Sequence, residues 1–292
     1  MDILSFILGY TKGKSQGGGG SSEEGLTLTV NTTHSFYGSK NNMFFTLNGE
    51  LYSIWSTTSG KAGVHKHEAD GTKTLIVKDV SYTINPSDGS HWVECNGKVW
   101  FYGHYDYYAV FDGTTLTFGR WNTNSPIIYF DTGKRVESFR GKLYGSNDNL
   151  STAAGVYVYD EDTATWSLYY STTNRPYIYV IGDNLYITSN TANMLTCITP
   201  GADNNEYSIG TLMNFDVHRP NNNSDGVIFT YNQTSNKSVL YKSKIGENTS
   251  TNLGYIPSSS GAWLIEYNGE FLVGLNGGSS YLNQLFTIHG IS

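Results

Sequence analysis

A short phrase of sequence recurs six times along this chain at nearly constant spacing. Each copy has an apolar run, a turn that contains glycine and a second apolar run, as in residues 47–52, which read Leu-Asn-Gly-Glu-Leu-Tyr. Each glycine follows the one before it by 41 to 48 residues. The six glycines are Gly49, Gly97, Gly141, Gly182, Gly226 and Gly269. A repeat of this length predicts one supersecondary unit per copy, stacked against its neighbours.

Each unit is expected to contain four strands. Asn-Gly between apolar runs predicts a β-hairpin, because both turn residues must accept a positive φ. A second turn follows in several repeats, as at Asp70-Gly71 and Asp112-Gly113. The composition, with 23 Tyr, 33 Gly and only 15% charged residues, is typical of strands joined by tight polar turns. The repeats therefore predict an all-β fold, a six-bladed β-propeller with four-stranded blades.

The two ends of the chain are predicted to meet in one blade. The last repeat supplies three strands, at residues 262–267, 270–275 and 282–289, and lacks a fourth. The alternating run at residues 26–30 is the candidate for the missing strand, since a propeller must leave no exposed edge. Residues 25–292 are thus expected to form the propeller, with the ring closed by the N-terminal strand.

One repeat carries a further signature. Tyr159 and Trp166 have the spacing of the Tyr and Trp in kelch-type propellers, and Gly277-Gly278 is similar to the double glycine of that family. From about residue 26 to residue 292 the chain therefore resembles a kelch-like propeller. The resemblance implies four-stranded blades around a central axis.

The longer connections between strands are predicted to gather on one face of the propeller, the long-loop face. It comprises the loops between the second and third strands of each blade and the connections between blades. These segments are rich in Tyr, Asn, Ser and Thr, which suit a glycan or a protein ligand. The candidate ligand-binding residues are Trp55, His104, Tyr105, Tyr107 and Trp121. The alternative is that these aromatic residues fill the interfaces between blades.

Charge and chemical motifs narrow the possible functions. A net charge of -7 argues against nucleic acid, and no apolar stretch is long enough for insertion into a membrane. Cys95 and Cys197 fall in different repeats and are expected to be buried thiols. The sequence lacks the Ser-x-Asp-x-Gly-x-Thr-Trp, Gly-x-Ser-x-Gly and His-Glu-x-x-His motifs. We therefore predict that the protein is not an enzyme and has no catalytic residue and no cofactor.

Two groups of residues are candidates for a metal site and for a site in the central channel. His65 and His67 could bind a metal, but no third ligand is evident, so we expect solvent-facing histidines on an outer strand and no metal site. Glu94, Glu137 and Glu266 recur in the innermost strands and leave a site in the central channel open.

Residues 1–24 form a separate segment, a short apolar peptide followed by a Gly/Ser linker. The peptide is predicted to dock on another subunit, because its apolar side chains cannot join the propeller core across the linker. The docking residues are Ile3, Leu4, Phe6, Ile7 and Leu8. This opening, followed by Lys-Gly-Lys and a glycine run, resembles the start of structural proteins in bacteriophage tails and other virion parts.

That resemblance implies a virion accessory protein, from a tail or a capsid, that is assembled in the bacterial cytoplasm. Its partners would be other virion proteins, bound through residues 1–12, and a glycan or protein of the host surface, bound by the propeller. Two alternatives remain. One is a cellular kelch-like adaptor for protein interactions, and the other is a propeller-based glycan-active enzyme.

Overall fold

The structure is a computed structural model that describes most of the residues between 27 and 289. The described segments are 27–34, 42–57, 60–81, 91–102, 107–121, 136–147, 154–173, 176–188, 193–210, 217–218, 227–234, 237–256, 262–275 and 285–289. They contain 24 strands. None of these segments forms a helix with the length and apolar character needed to cross a membrane.

The strands are grouped here by the sheet to which they belong. The first sheet has β2 (Asn42–Leu47), β3 (Glu50–Ser56), β4 (Lys61–His67) and β5 (Lys73–Ser81). The second has β6 (His91–Cys95), β7 (Lys98–Tyr102), β8 (Tyr107–Phe111) and β9 (Leu116–Arg120). The third has β10 (Val136–Phe139), β11 (Lys142–Asn147), β12 (Gly155–Asp160) and β13 (Thr165–Ser171).

Three further sheets complete the described part of the chain. The fourth has β14 (Ile178–Ile181), β15 (Asn184–Thr188), β16 (Met194–Cys197) and β17 (Glu206–Ser208). The fifth has β18 (Val217–His218), β19 (Val227–Thr234), β20 (Lys237–Lys244) and β21 (Ser250–Ile256). The last sheet has β22 (Ala262–Tyr267), β23 (Glu270–Leu275), β24 (Leu285–His289) and, from the start of the chain, β1 (Thr27–Val30).

Each of these sheets has four antiparallel strands, and the innermost strands of neighbouring sheets lie side by side. Strand β2 contacts β22 on one side and β6 on the other, β10 contacts β6 and β14, and β18 contacts β22. The fourth and fifth sheets meet where the backbone N–H of Gly246 donates to the carbonyl of Ser208 at 2.7 Å. Five of the innermost strands have four to six residues, whereas β18 has two. The prediction of an all-β propeller with four-stranded blades is confirmed.

The first strand pairs with the last one. Thr27 lies opposite His289 and Val30 lies opposite Phe286. Beyond β1, the backbone N–H of Asn31 donates to the carbonyl of Leu285 at 2.8 Å. The predicted pairing of the N-terminal strand with the last strand is therefore found at residues 27–30, while residue 26 lies outside the described segments.

The hydrophobic core is divided among the interfaces between sheets. Between the first two sheets, the ring of Phe45 packs against Phe101 at 4.9 Å and against Phe111 at 5.7 Å between ring centroids. Similar clusters join the second sheet to the third and the third to the fourth. Cys95 and Cys197 are buried and unpaired, as predicted. Each of these three clusters draws on two neighbouring sheets, so the sheets share much of their core.

The turns have the geometry that the sequence predicted. Asn48 and Gly49 both have positive φ, at 52° and 77°, and Asn96 with Gly97 repeats this pattern. The turn between β8 and β9 is the predicted second hairpin of the second sheet. There the Asp112 carboxylate accepts from the backbone N–H groups of Thr114 and Thr115, at 2.9 and 2.7 Å. These hydrogen bonds, with those from the two threonine hydroxyls, lower the pKa of Asp112 below its ordinary value.

One turn glycine, Gly71, is needed for the space around it as well as for its positive φ. A Cβ on Gly71 would lie 2.1 Å from the carbonyl oxygen of Thr33, whereas a Cβ on Gly97 would have no atom within 4 Å. Both residues have positive φ. Gly97→Ala should therefore cost only the backbone strain, roughly 1–2 kcal/mol. We expect Gly71→Ala to cost about 1–3 kcal/mol more through the clash with Thr33. Denaturant unfolding measures both, and equal losses would contradict this role of Gly71.

Candidate functional site

The long-loop face lies at the strand ends opposite the Asn-Gly turns. Strands β3 and β4 meet there through residues 57–60, where the backbone N–H of Thr57 donates to the carbonyl of Lys61 at 2.8 Å. The ammonium of Lys61 donates to the hydroxyl of Ser81, at the end of β5, at 2.7 Å. These hydrogen bonds fix the strand ends that carry the connecting loops of the first sheet.

Tyr107 and Arg120 form the best-defined surface feature on this face. Tyr107 begins β8, Arg120 ends β9, and the two residues are opposite each other in the antiparallel register. The guanidinium carbon of Arg120 lies 4.2 Å from the centroid of the Tyr107 ring, which is a cation–π contact. The tyrosine is half-buried and the arginine is exposed. This face thus presents an aromatic ring and a cation on a firmly paired hairpin.

Trp121, another predicted ligand-binding residue, belongs to the core instead. It is only 3% exposed, and its ring packs on Tyr108 at 4.3 Å and on Trp166 at 5.3 Å. Tyr159 and Trp166, the pair that resembles the kelch signature, lie in the same cluster between the second and third sheets. This corrects the expected position of Trp121 on the ligand-binding surface.

Trp55 is also buried, although it too was expected to border the long-loop face. It lies opposite Gly63 in the register of β3 and β4, and a Cβ on Gly63 would fall 2.3 Å from the indole ring. The glycine therefore makes the space in which the tryptophan lies flat against β4. The structure places Trp55 and Trp121 in the core, which is the alternative stated above for these aromatic residues.

The other predicted contact residues lie outside the described segments. These are His104 and Tyr105 of the long-loop face and the docking residues Ile3, Leu4, Phe6, Ile7 and Leu8. Of the five residues predicted for the ligand-binding face, Tyr107 is the one that the described part of the structure places at the surface.

Glu137, in the innermost strand β10, is a buried carboxylate at only 3% exposure. It lies three residues before the first turn residue of its sheet, where the corresponding residues of four other sheets are buried and uncharged. Those residues are Phe45, Val93, Tyr179 and Ile265. Burying a carboxylate is unfavourable unless other groups compensate for the loss of water. Among these five sheets a buried carboxylate at this position occurs in the third sheet only, so Glu137 is a candidate residue for chemistry there.

The other two carboxylates of the innermost strands have different surroundings. Glu94 is half-buried, and its Oε1 accepts from the backbone N–H of Asn48 at 3.1 Å, which links the second sheet to the first turn of the first sheet. Glu266 is half-buried in β22. The sequence grouped Glu94, Glu137 and Glu266 together, but burial separates Glu137 from the others.

His65 and His67 are buried, so the prediction of solvent-facing histidines on an outer strand is wrong. They lie in β4, the third strand of its sheet, whose two faces are both covered. The Nε2 atom of His67 and the hydroxyl of Ser53 form a hydrogen bond of 2.8 Å. Burial, with His34 and Lys73 nearby, lowers the pKa of His67 to about 3. Among the described residues no group of three potential ligands has metal-binding geometry.

Comparison with known proteins gives a fold and no family. No protein-family model and no curated protein matches the sequence. A solved structure named as a putative gluconolactonase is 9% identical, with a TM-score of 0.51, over 91% of this chain and 92% of that one. SapL1 lectin in complex with alpha methyl fucoside is 12% identical, with a TM-score of 0.49, over 88% of this chain and 93% of that one.

A third structure is longer than this chain. The sialidase of Trypanosoma rangeli, in complex with the inhibitor DANA, is 10% identical, with a TM-score of 0.47, over 92% of this chain and 58% of that one. At such identities the similarity to the putative gluconolactonase shows the propeller fold alone. It supports neither the kelch family nor a virion protein in particular.

The prediction that this protein is not an enzyme is corrected by the first of these structures. The same fold, over nearly the whole of both chains, occurs in a protein named as a putative gluconolactonase. Since this fold also occurs in a protein named as a putative enzyme, the absence of the three motifs does not exclude catalysis.

Proposed function

We propose that this propeller recognises a carbohydrate at its long-loop face. The observation that carries the proposal is the contact between Tyr107 and Arg120, at 4.2 Å. A half-exposed tyrosine ring can stack on the apolar face of a sugar, and a guanidinium donates hydrogen bonds to hydroxyl or carboxylate oxygens. Both side chains extend from paired strands, so little conformational entropy is lost when a ligand binds.

The rest of the chain is compatible with such a ligand. The net charge of -7 disfavours a strongly anionic polymer, and the loops of this face are rich in neutral hydrogen-bonding side chains. This chain shares its fold with a putative gluconolactonase, and that fold is compatible with a carbohydrate-directed function.

A second candidate function, hydrolysis of the bound carbohydrate, is favoured by the burial of Glu137. A glutamate carboxyl group is a common general acid or base, and Glu137 lies on an innermost strand, β10. The strand faces the axis of the propeller, where the innermost strands meet. In this second candidate, hydrolysis takes place near the axis, and the carbohydrate is recognised at the long-loop face.

We also propose that the six sheets are successive blades of one ring, which β1 closes. Two observations support this arrangement. Strand β1 pairs with β24, and the innermost strands contact one another in the order β18, β22, β2, β6, β10, β14. The fifth and fourth sheets meet through the hydrogen bond between Gly246 and Ser208.

The place of action that we propose is the surface of a virion. The support is in the sequence of residues 1–24, in which five large apolar side chains precede a glycine-rich linker. Such a peptide gains free energy only when another protein buries it. Residues 1–12 would then dock on other virion proteins, and the propeller would bind a glycan of the host surface.

Carbohydrate binding is tested first with a glycan array and then by titration of the best ligand. We expect Tyr107→Ala to weaken binding about fivefold, because the loss of one stacked ring costs about 1 kcal/mol. The matched control is Tyr207→Ala in the outer strand β17, which removes an exposed tyrosine from a different sheet. Equal affinities of the two variants, or no glycan bound by the parent, would contradict the proposal.

Hydrolysis is tested on a panel of sugar lactones and glycosides. If Glu137 acts as the general acid or base, Glu137→Gln should lower kcat by roughly 100-fold or more while the fold is kept. Glu94→Gln is the control, since it changes an innermost carboxylate that is only half-buried and that links β6 to the turn at Asn48. A parent protein without turnover, or a Glu137→Gln variant with the parental rate, would exclude this second candidate.

The docking role is tested with an Ile3→Asp, Phe6→Asp double variant. Because both changes lie in the apolar peptide, the propeller should unfold at the parental temperature while co-purification with virions is lost. The measurement is the amount of the protein in purified particles. Normal incorporation of the double variant would show that the peptide does not dock.

A further inference from the structure

Three imidazoles meet in the joint between the first sheet and the last one. His34 follows β1, whereas His65 and His67 lie in β4, and their exposures are 6%, 5% and 0%. Such burial is unusual for a side chain that titrates near neutral pH. We call these three residues the histidine joint.

The ring of His34 is inserted between residues of two sheets. Its centroid lies 5.7 Å from that of Tyr267 in β22 and 5.7 Å from that of His67 in β4, edge-on to both. His67 also packs on Phe44 at 4.7 Å. Within the described segments, the Nδ1 atoms of His34 and His67 have no hydrogen-bond partner. The joint therefore has no acceptor in place for a second imidazole proton on either ring.

The segment that carries His34 is fastened to the last sheet. The side chain of Asn31 accepts from the backbone N–H of His34 at 2.7 Å and donates to the hydroxyl of Thr287 in β24 at 3.0 Å. On the other side, the carbonyl of Thr33 lies against Gly71 in the turn between β4 and β5. Residues 31–34 thus connect the closing strand to both sheets.

The charged groups around the joint oppose protonation on balance. Lys73 in β5 disfavours a proton on each of the three histidines, and His34 and His65 disfavour one on His67. Glu270 in β23 favours a proton on His34 only. Burial is the largest effect, and it lowers the pKa of all three histidines.

We propose that the histidine joint is an acid-sensitive latch, which holds residues 27–34 in place at neutral pH and releases them when the imidazoles are protonated. Release exposes His34 and His67 to water, while the pairing within the other sheets is unaffected. This device is separate from the carbohydrate site, because Tyr107 lies in the second sheet, whereas the histidine joint lies between the first sheet and the last one.

The direction of the pH effect follows from the lowered pKa values. Above the ordinary pKa of 6.5 the imidazoles are neutral in the closed and in the released state, so the closed state carries no penalty. As the pH falls below 6.5, the released state takes up protons and the closed state does not. The stability of the closed state therefore declines until the pH approaches the pKa of His67 in the closed state, about 3.

Hydrogen exchange of the full chain at pH 7.5 and pH 5.0 tests the latch, after correction for the intrinsic exchange rates. For one group with a pKa of 6.5 when released and about 3 when closed, the opening equilibrium should increase roughly 30-fold between these two pH values. The effect should appear in peptides that cover residues 27–34 and 285–289. Peptides from β6–β9 should keep their protection.

Two variants separate the joint from other histidines. His34→Gln with His67→Gln should reduce the 30-fold change to less than about threefold, whatever the stability of this variant at pH 7.5. His289→Gln is the control, because His289 is an exposed histidine on β24 that bonds the hydroxyl of Thr29. It should keep the parental pH dependence. Loss of the dependence in this control, or its persistence in the double variant, would overturn the proposal.

A measurement on the parent protein covers the case in which the double variant does not fold. The imidazole resonance of His67 should show a neutral ring at pH 5.0 in the fraction of molecules in which β1 remains paired, and the pKa of His34 in that fraction should lie below 6.5. Titration of these rings near pH 6.5 with β1 still paired would overturn the latch. Equal exchange of residues 27–34 at both pH values would do the same.

Discussion

The burial of apolar side chains between neighbouring sheets is the interaction on which the rest of this structure depends. A four-stranded sheet here has both of its faces covered, as the nearly continuous burial along β3 and β4 shows. Each face contributes half of an interface, so a sheet is stable only with a neighbour on each side. The strand from the start of the chain, β1, completes the last sheet, which then has four strands like the others.

The features of the fold that depend on local backbone geometry could be predicted from the sequence. The Asn-Gly turns predict positive φ at two successive residues. The spacing between these turns predicts the length of the four-stranded unit. The pairing of residues 27–30 with β24 could also be inferred, because a missing strand and a spare strand were both visible. These predictions hold since they depend on chain connectivity and turn chemistry, and not on which way a side chain points.

Side-chain placement was harder to predict for a physical reason. In a sheet with one solvated face, alternation of apolar and polar residues shows which side is buried. In this fold both sides are buried, so the pattern along a strand carries little information about direction. Trp55 and Trp121 lie at strand ends and were assigned to the surface, yet both rings turn into the interfaces. His65 and His67 were assigned to water because they are polar. The one local signal for Trp55 was Gly63, the residue on which its ring lies.

The same reasoning bears on function. An absent motif excludes only the reactions for which that motif is required, so the sequence alone was a weak argument against catalysis. Glu137 was visible as one of three innermost carboxylates, but nothing in the sequence showed that it alone is buried.

In the described part of the chain, glutamate and histidine side chains are buried at two places with different consequences. Glu137 lies on the innermost strand β10, where we place the second candidate function. The histidine joint lies between two sheets, where chain closure depends on its remaining neutral. A buried group that titrates near neutral pH destabilises the closed state as soon as it is protonated, so its position decides which part of the molecule responds. In this chain that part is β1 with residues 31–34, and the second sheet with Tyr107 is spared.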